Sequence, residues 1–275
     1  MKNSQNLTSK IKGALYGFAI GDAMGATTEF MDEKQIKRIY GKVDNIIGGG
    51  WLHLKAGEVT DDTQMTMCVC EAIEFGFGEV RNWSYREYSS PEDAMLNRCC
   101  NNFIKWLLTN PKDIGGCCNR VISAFVRKKS AKYKAWHKKA DDPGSLGNGS
   151  LMRTLPIILA GQSEDLAISQ GRLTHNNILC DNALEIYCKN VEELLYHDTF
   201  RNSAKELVEP SGHVLKTLNN ALYWAQRTGS FEEAIIGAVN HGGDADTIAA
   251  ITGSLAGALY GYEAIPQRWV DQLNP

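Results

Sequence analysis

The chain has 275 residues, 43% of them hydrophobic and 22% charged, an ordinary globular composition with length for one large core or two modest ones. A net charge of −3 and a pI near 6.1 leave no global electrostatic footprint for nucleic acid. An anionic substrate would therefore need local positive charge or metal ions.

Helical periodicity dominates the chain. Residues 7–25 read as one helix with Gly13, Gly17, Gly21 and Gly25 spaced four apart along one face. Residues 44–54, around Gly48-Gly49-Gly50, read as a turn with a short extended piece. Helices are then predicted at 62–76, 93–108, 115–128, 150–160, 163–172, 177–196, 202–208, 212–227 and 231–239. A last apolar helix, 246–262, repeats the four-residue spacing with Gly253, Gly257 and Gly261. Each interior glycine costs a helix about 1 kcal/mol relative to alanine, so seven in register imply close backbone approach to neighbouring helices. In a bilayer this spacing would mark a dimerising span, but Asp22 and Asp246 favour a helix packed in a protein core.

There is no βαβ rhythm, no repeat of 20–50 residues and no low-complexity linker. The expectation is an all-α, compact, multi-helix single domain spanning 1–275. No apolar stretch reaches the roughly 20 residues of a membrane span, and Met1–Asn6 lacks the apolar region of a signal peptide. A cytoplasmic protein with no membrane partner is predicted. The eight cysteines include the vicinal pairs Cys99-Cys100 and Cys117-Cys118 and form no CxxC motif, which points to reduced thiols and away from structural zinc. Residues 127–139 are basic, with Tyr133 and Trp136 interleaved. This segment is either a solvated insertion or a docking patch for an acidic partner or phosphate-bearing substrate.

Two acidic clusters about 180 residues apart share one design. Thr60-Asp61-Asp62-Thr63 follows a Gly57 turn, and Asp244-Ala245-Asp246-Thr247 follows Gly242-Gly243. Each places two carboxylates and a threonine at the entrance to a helix. Capping explains either cluster alone. It gives no reason for a matched surplus, because one acceptor caps one helix end. Four carboxylates and two hydroxyls form a hard-oxygen set suited to Mg²⁺ or Mn²⁺ and ill suited to zinc or copper. If the clusters meet, they could hold two ions roughly 3.5–4 Å apart.

Four motifs fall in order: Gly13–Gly17 through Gly21-Asp22-Ala23-Met24-Gly25 to Glu29, then Thr60–Thr63, then Gly147-Asn148-Gly149-Ser150-Leu151-Met152-Arg153, then Gly242–Thr247. Together they resemble the ADP-ribosylglycohydrolases of the dinitrogenase-reductase-activating type, over about residues 11–262. The resemblance implies an all-α fold with a binuclear Mg²⁺ or Mn²⁺ cleft. It implies metal ligation by Thr60, Asp61, Asp62, Asp244, Asp246 and Thr247, with Asp61 and Asp62 also counted in the catalytic centre. It further implies cleavage at C1″ of the distal ribose, releasing ADP-ribose from a modified side chain.

Glu29 takes the position of the family's gating glutamate and is expected to hold or deprotonate the attacking water, or to contact the scissile ribose. Gly147, Asn148, Gly149, Ser150 and Met152 are carried over as ADP-ribose contacts. The loop lacks GxGxxG spacing and a preceding strand, so a Rossmann reading fails. His175 resembles the family's threonine–histidine segment. Asn177 stands where relatives often carry a second histidine, which weakens a proton-transfer role for that loop. Asp22 is expected to support the site structurally, and Arg153 to meet phosphate charge or a buried partner. His241 reads as either a support for a metal ligand or a core histidine.

The expected partner is an ADP-ribosylated protein, or a small-molecule ADP-ribose conjugate, with N-linked arginine the first choice of acceptor. Serine-linked and O-acetyl-ADP-ribose are the alternatives within the family, and a non-catalytic ADP-ribose-binding protein is the alternative outside it. A di-metal phosphohydrolase on another all-α fold would usually show histidine ligands, which are not matched here.

Overall fold

A computed structural model describes residues 2–79, 83–84, 87–127 and 132–273, and the side chains of 2–5 are not described. Among the described residues there is no strand, only isolated bridges at Gly49–Leu54 and Asp141–Asn176, so the all-α expectation holds and the extended piece at 44–54 reduces to one bridge. The chain forms two compact units, 1–63 with 189–275, and 64–188.

The first unit is organised around α1 (Lys2–Gly25) and α12 (Ala245–Tyr260), packed antiparallel. The glycine faces meet each other. A Cβ on Gly13, Gly17, Gly21 or Gly25 would fall on the backbone of Gly257, Gly253, Ala249 or Ala245 in turn. Reciprocally, a Cβ on Gly253 or Gly257 would fall on Gly17 or Gly13. Around this seam lie α2 (Glu33–Tyr40), α10 (Val214–Arg227), α11 (Phe231–His241) and α13 (Gln267–Gln272). Ile20, Met24, Ile36, Phe231, Ile235, Ile248 and Trp269 form its buried core.

Two differences from the sequence reading have local causes. Helix α2 was not anticipated, although Asp32 and Gln35 make a capping box at its start and Ile36 is its buried anchor. The helix expected at 202–208 does not form, because side-chain amides capture its backbone. Asn190 Oδ1 accepts from Arg201 and Asn202 N–H, Gln226 Oε1 from Ala204 N–H, and Asn220 Oδ1 from Val208 N–H, at 2.9–3.1 Å. These amides replace the helical ladder.

The second unit contains most of α3 (Asp61–Phe77), with α4 (Pro91–Leu107), α5 (Gly116–Ser123), α6 (Tyr133–Ala140), α7 (Leu155–Leu159), α8 (Glu164–Gly171) and the start of α9 (Ile178–His197). The helix expected over 150–160 is split. Asn148–Ser150 is a 3₁₀ turn, and α7 begins only at Leu155 with Pro156 in its first turn. The basic segment contains α6, whose Trp136 is fully buried and stacks on Phe125 at 4.8 Å. Its Lys134, Lys138 and Lys139 are exposed, while Lys128 and Lys129 lie outside the described residues. All eight cysteines are free thiols. Among the described residues no helix is long and apolar enough to cross a membrane.

Candidate active site

The carboxylate centre lies in the first unit and is built on helix ends. Asp22, fully buried in α1, accepts from the backbone N–H of Thr60 at 3.1 Å and of Thr63 at 3.0 Å, and from the Thr63 hydroxyl at 2.5 Å. A residue distant in sequence thus caps α3. Burial raises the Asp22 pKa, and these hydrogen bonds pull it the other way. Thr60 keeps one local bond, accepting from Asp62 N–H at 3.3 Å. The Asp62 carboxylate takes no part in this cap.

The second cluster begins where Gly242 and Gly243 turn the chain at φ 78° and 67°. A side chain there would be strained, and at Gly242 it would also strike the Met31 carbonyl. Asp244 sits at the N-cap position of α12 but makes no capping bond with its side chain. Asp246 Oδ1 accepts from Thr247 N–H at 2.8 Å.

The two clusters meet. The Thr247 hydroxyl donates to Asp62 Oδ1 at 3.4 Å. Glu29, Asp244 and Asp246 each offer a carboxylate oxygen within 4.8 Å of one another. Burial, with the charges of Asp22, Asp61 and Asp244, raises the Asp62 pKa well above the carboxylate range. Burial, with Glu29, Asp62, Asp244 and Asp22, does the same to Asp246. Asp62 Oδ2 is buried without a hydrogen-bond partner. An unpartnered buried carboxylate oxygen among like charges is costly, and a divalent cation with oxygen ligands answers both the charge and the open lone pairs. The donor set therefore fits the metal. The sequence alone did not place Glu29 beside Asp244 and Asp246.

The second unit holds the other expected contacts. Gly149, Ser150, Met152 and His175 are buried, and Gly147 and Asn148 half-buried. The glycines have a packing reason. A Cβ on Gly149 would lie 2.9 Å from His175 Cε1 and from Cys118 Sγ, and one on Gly147 would lie 3.1 Å from His175 Nε2. The Met152 carbonyl accepts from the Thr66 hydroxyl at 3.0 Å.

Arg153 is fully buried and braces the loop. It donates to the Gly149 carbonyl, to Gln170 Oε1 at 2.5 Å and to the Thr174 hydroxyl at 2.8 Å, with its guanidinium 5.0 Å from the Phe103 ring centre. The Thr174 hydroxyl in turn bonds His175 Nδ1 at 2.8 Å. Burial first, then the positive charges of Arg153 and Arg120, pulls His175 down to about 3, so it is neutral at physiological pH. In the first unit, His241 bonds Glu33 at 3.0 Å, an alternative to the metal-supporting position considered for it.

The family model for ADP-ribosylglycohydrolase matches residues 3–209 and 179–275. The chain belongs to the ADP-ribosylglycohydrolase family. Family members hydrolyse glycosidic bonds, so this glycohydrolase chain is an enzyme by descent. It is similar to the ADP-ribosyl-[dinitrogen reductase] glycohydrolase of Rhodospirillum rubrum, 34% identical over 95% of this chain and 89% of that protein. It is also similar to the ADP-ribosylarginine hydrolase Tri1 of Pseudomonas putida (strain GB-1), at 28% identity over 96% of this chain and 74% of the relative. Among solved structures, an ADP-ribosylglycohydrolase-related protein complex superposes with a TM-score of 0.77 at 26% identity, covering 98% of this chain and 94% of that one.

Proposed function

We propose that this glycohydrolase removes ADP-ribose from N-linked arginine on modified proteins, in a reaction that depends on two divalent cations, Mg²⁺ or Mn²⁺. The observation that carries the reading is the meeting of two carboxylate clusters from opposite ends of the sequence, joined by Thr247 and Asp62 and flanked by Glu29. The arginine acceptor is drawn from the similarity to the P. putida hydrolase.

Thr60, Asp61, Asp62, Asp244, Asp246 and Thr247 would hold the cations. When bound, these supply Lewis-acid polarisation and orientation of the ribose hydroxyls. Glu29 takes a proton from the attacking water. The C1″–N bond breaks with its electron pair going to nitrogen, the C1″–O bond to water forms, and the departing guanidine takes up the proton that Glu29 received. Carboxylates near C1″ stabilise the positive charge that develops there. Gly147, Asn148, Gly149, Ser150, Met152 and His175 contact the ADP-ribose. His175 does so as a neutral ring held by Thr174, which suits hydrogen bonding and not proton delivery.

The test is incubation with arginine- and serine-ADP-ribosylated peptides in Mg²⁺, Mn²⁺ or EDTA, following free ADP-ribose. Release from the arginine-linked peptide with metal, and its loss in EDTA, is expected. No release from any acceptor with either metal would refute the hydrolase reading.

A further inference from the structure

We propose that Phe30 and Trp51 form the acceptor face of this site, with Trp51 positioning Glu29 and the two rings receiving the planar guanidinium of a modified arginine. The inference rests on the arginine reading above and extends it to residues that the motifs do not contain. Trp51 Nε1 donates to Glu29 Oε2 at 2.5 Å, and Glu29 is otherwise sealed, with 4% of its surface exposed. The other partner groups stay open: Phe30 is 66% exposed and Trp51 47%, with ring centres 5.4 Å apart and planes tilted by 49°. Two large aromatic rings are thus left in water directly beside a buried carboxylate.

The backbone holds Phe30 there against its own preference. Phe30 has φ 61°, a left-handed conformation that a bulky residue rarely adopts. It is pinned by its N–H to the Gly243 carbonyl at 2.6 Å, while Gly243 N–H returns to the Met31 carbonyl at 2.8 Å. Phe30 is therefore fixed to the turn that presents Asp244. Trp51 rides a tight loop closed by paired hydrogen bonds between Gly49 and Leu54 at 2.8 and 2.9 Å, and the Thr27 hydroxyl anchors Gly48 at 3.0 Å. The backbone segments that carry both rings are thus fixed on one flank of the Glu29 carboxylate.

Chemistry decides what such a surface takes. The sugar of ADP-ribose is polar and would be held through its hydroxyls. The leaving group and the attacking water act at the same carbon, C1″, so the acceptor is within reach of groups that flank Glu29. A guanidinium is planar, cationic and weakly hydrated, and it stacks on aromatic faces; a serine hydroxyl has neither charge nor plane to offer.

The experiment compares wild type with Trp51→Phe, Phe30→Leu and Phe30→Tyr on arginine- and serine-linked peptides, with calorimetry of free ADP-ribose and thermal unfolding alongside. Trp51→Phe keeps a ring and deletes the N–H. It should lower kcat about ten- to hundredfold while KM and ADP-ribose affinity hold, with the melting temperature falling only by what one hydrogen bond to a buried carboxylate contributes. Phe30→Leu should raise KM for the arginine-linked peptide about two- to tenfold, leaving serine-linked turnover and ADP-ribose binding unchanged, and Phe30→Tyr should restore it. Unchanged kcat in Trp51→Phe, or equal KM in Phe30→Leu, overturns this inference while the hydrolase reading stands. A wild type that cleaves only the serine-linked peptide overturns the guanidinium assignment. One that cleaves neither refutes both proposals.

Discussion

Replacing Gly21 by alanine sets two physical effects against each other. Helix propensity alone favours alanine by about 1 kcal/mol in a helix interior. The structure opposes it, because the new methyl would fall on the Ala249 carbonyl and lie 2.6 Å from Ala250 N. These are backbone atoms of α12, with no flexible side chain to swing aside, so α1 and α12 must separate by about 1 Å to restore ordinary contact. Overpacking typically costs about 1–3 kcal/mol, and a rigid obstacle puts this site at the upper end. The net expectation is destabilisation by about 2 kcal/mol, a fall in melting temperature of roughly 4–8 °C for a chain of this size. Asp22 and Asp246 ride on the two helices being forced apart, so metal affinity should fall. Gly116→Ala in α5 is the control, since nothing lies within 4 Å of its would-be Cβ, and it should be neutral or slightly stabilising. Thermal and urea unfolding of both variants, with metal titration, read the result. A Gly21→Ala protein that melts at or above wild type would refute the packing argument for the glycine faces.

Other outcomes follow from single residues. Asp22→Ala strands the buried N–H groups of Thr60 and Thr63 and the Thr63 hydroxyl, and should cost about 3–5 kcal/mol by urea unfolding, whereas Asp22→Asn, which keeps an acceptor oxygen, should lose less. Asp246→Asn removes one charge from a crowded set, so it should leave the metal-free protein as stable as wild type or more so, while shrinking the rise in melting temperature that Mg²⁺ or Mn²⁺ produces and EDTA reverses; an undiminished rise would remove Asp246 from the ligands. His175 is held near 3 when folded against 6.5 when unfolded. Above pH 6.5 it has no linkage effect. As pH falls from 6.5 toward 3 the unfolded chain binds a proton that the folded one refuses, so about 1.4 kcal/mol of stability is lost per unit. His175→Gln should flatten that slope relative to wild type when urea midpoints are compared at pH 7, 5.5 and 4.5, and parallel slopes would refute the burial argument.

The glycine faces were legible because a repeated local penalty demands a nonlocal return. Which helix supplied it was not, since a four-residue spacing describes a face and not its partner. Helix α6 was hidden because its lysines dominate the composition while one buried indole, Trp136, does the anchoring. Residues 202–208 misled in the opposite sense: their propensity is helical, and amides from α9 and α10 outcompete the ladder. Trp51 went unremarked because a tryptophan after three glycines carries no motif, although such a turn is a place where a ring can be held out rigidly.

The capping question shows most plainly what a sequence can and cannot carry. Two carboxylates at each helix entrance were compatible with caps, and nothing local could separate that reading from ligation. The structure separates them through Asp22, which lies some forty residues before α3 and takes over its N–H groups. Asp244 likewise makes no capping bond with its own side chain. The carboxylates are brought together, with burial and like charge raising the pKa of Asp62 and Asp246 and with an unpartnered Asp62 oxygen, an arrangement that opposes folding unless a cation compensates it. A fold that commits its own buried aspartate to capping, and keeps the surplus carboxylates together, has the layout expected of a cation site.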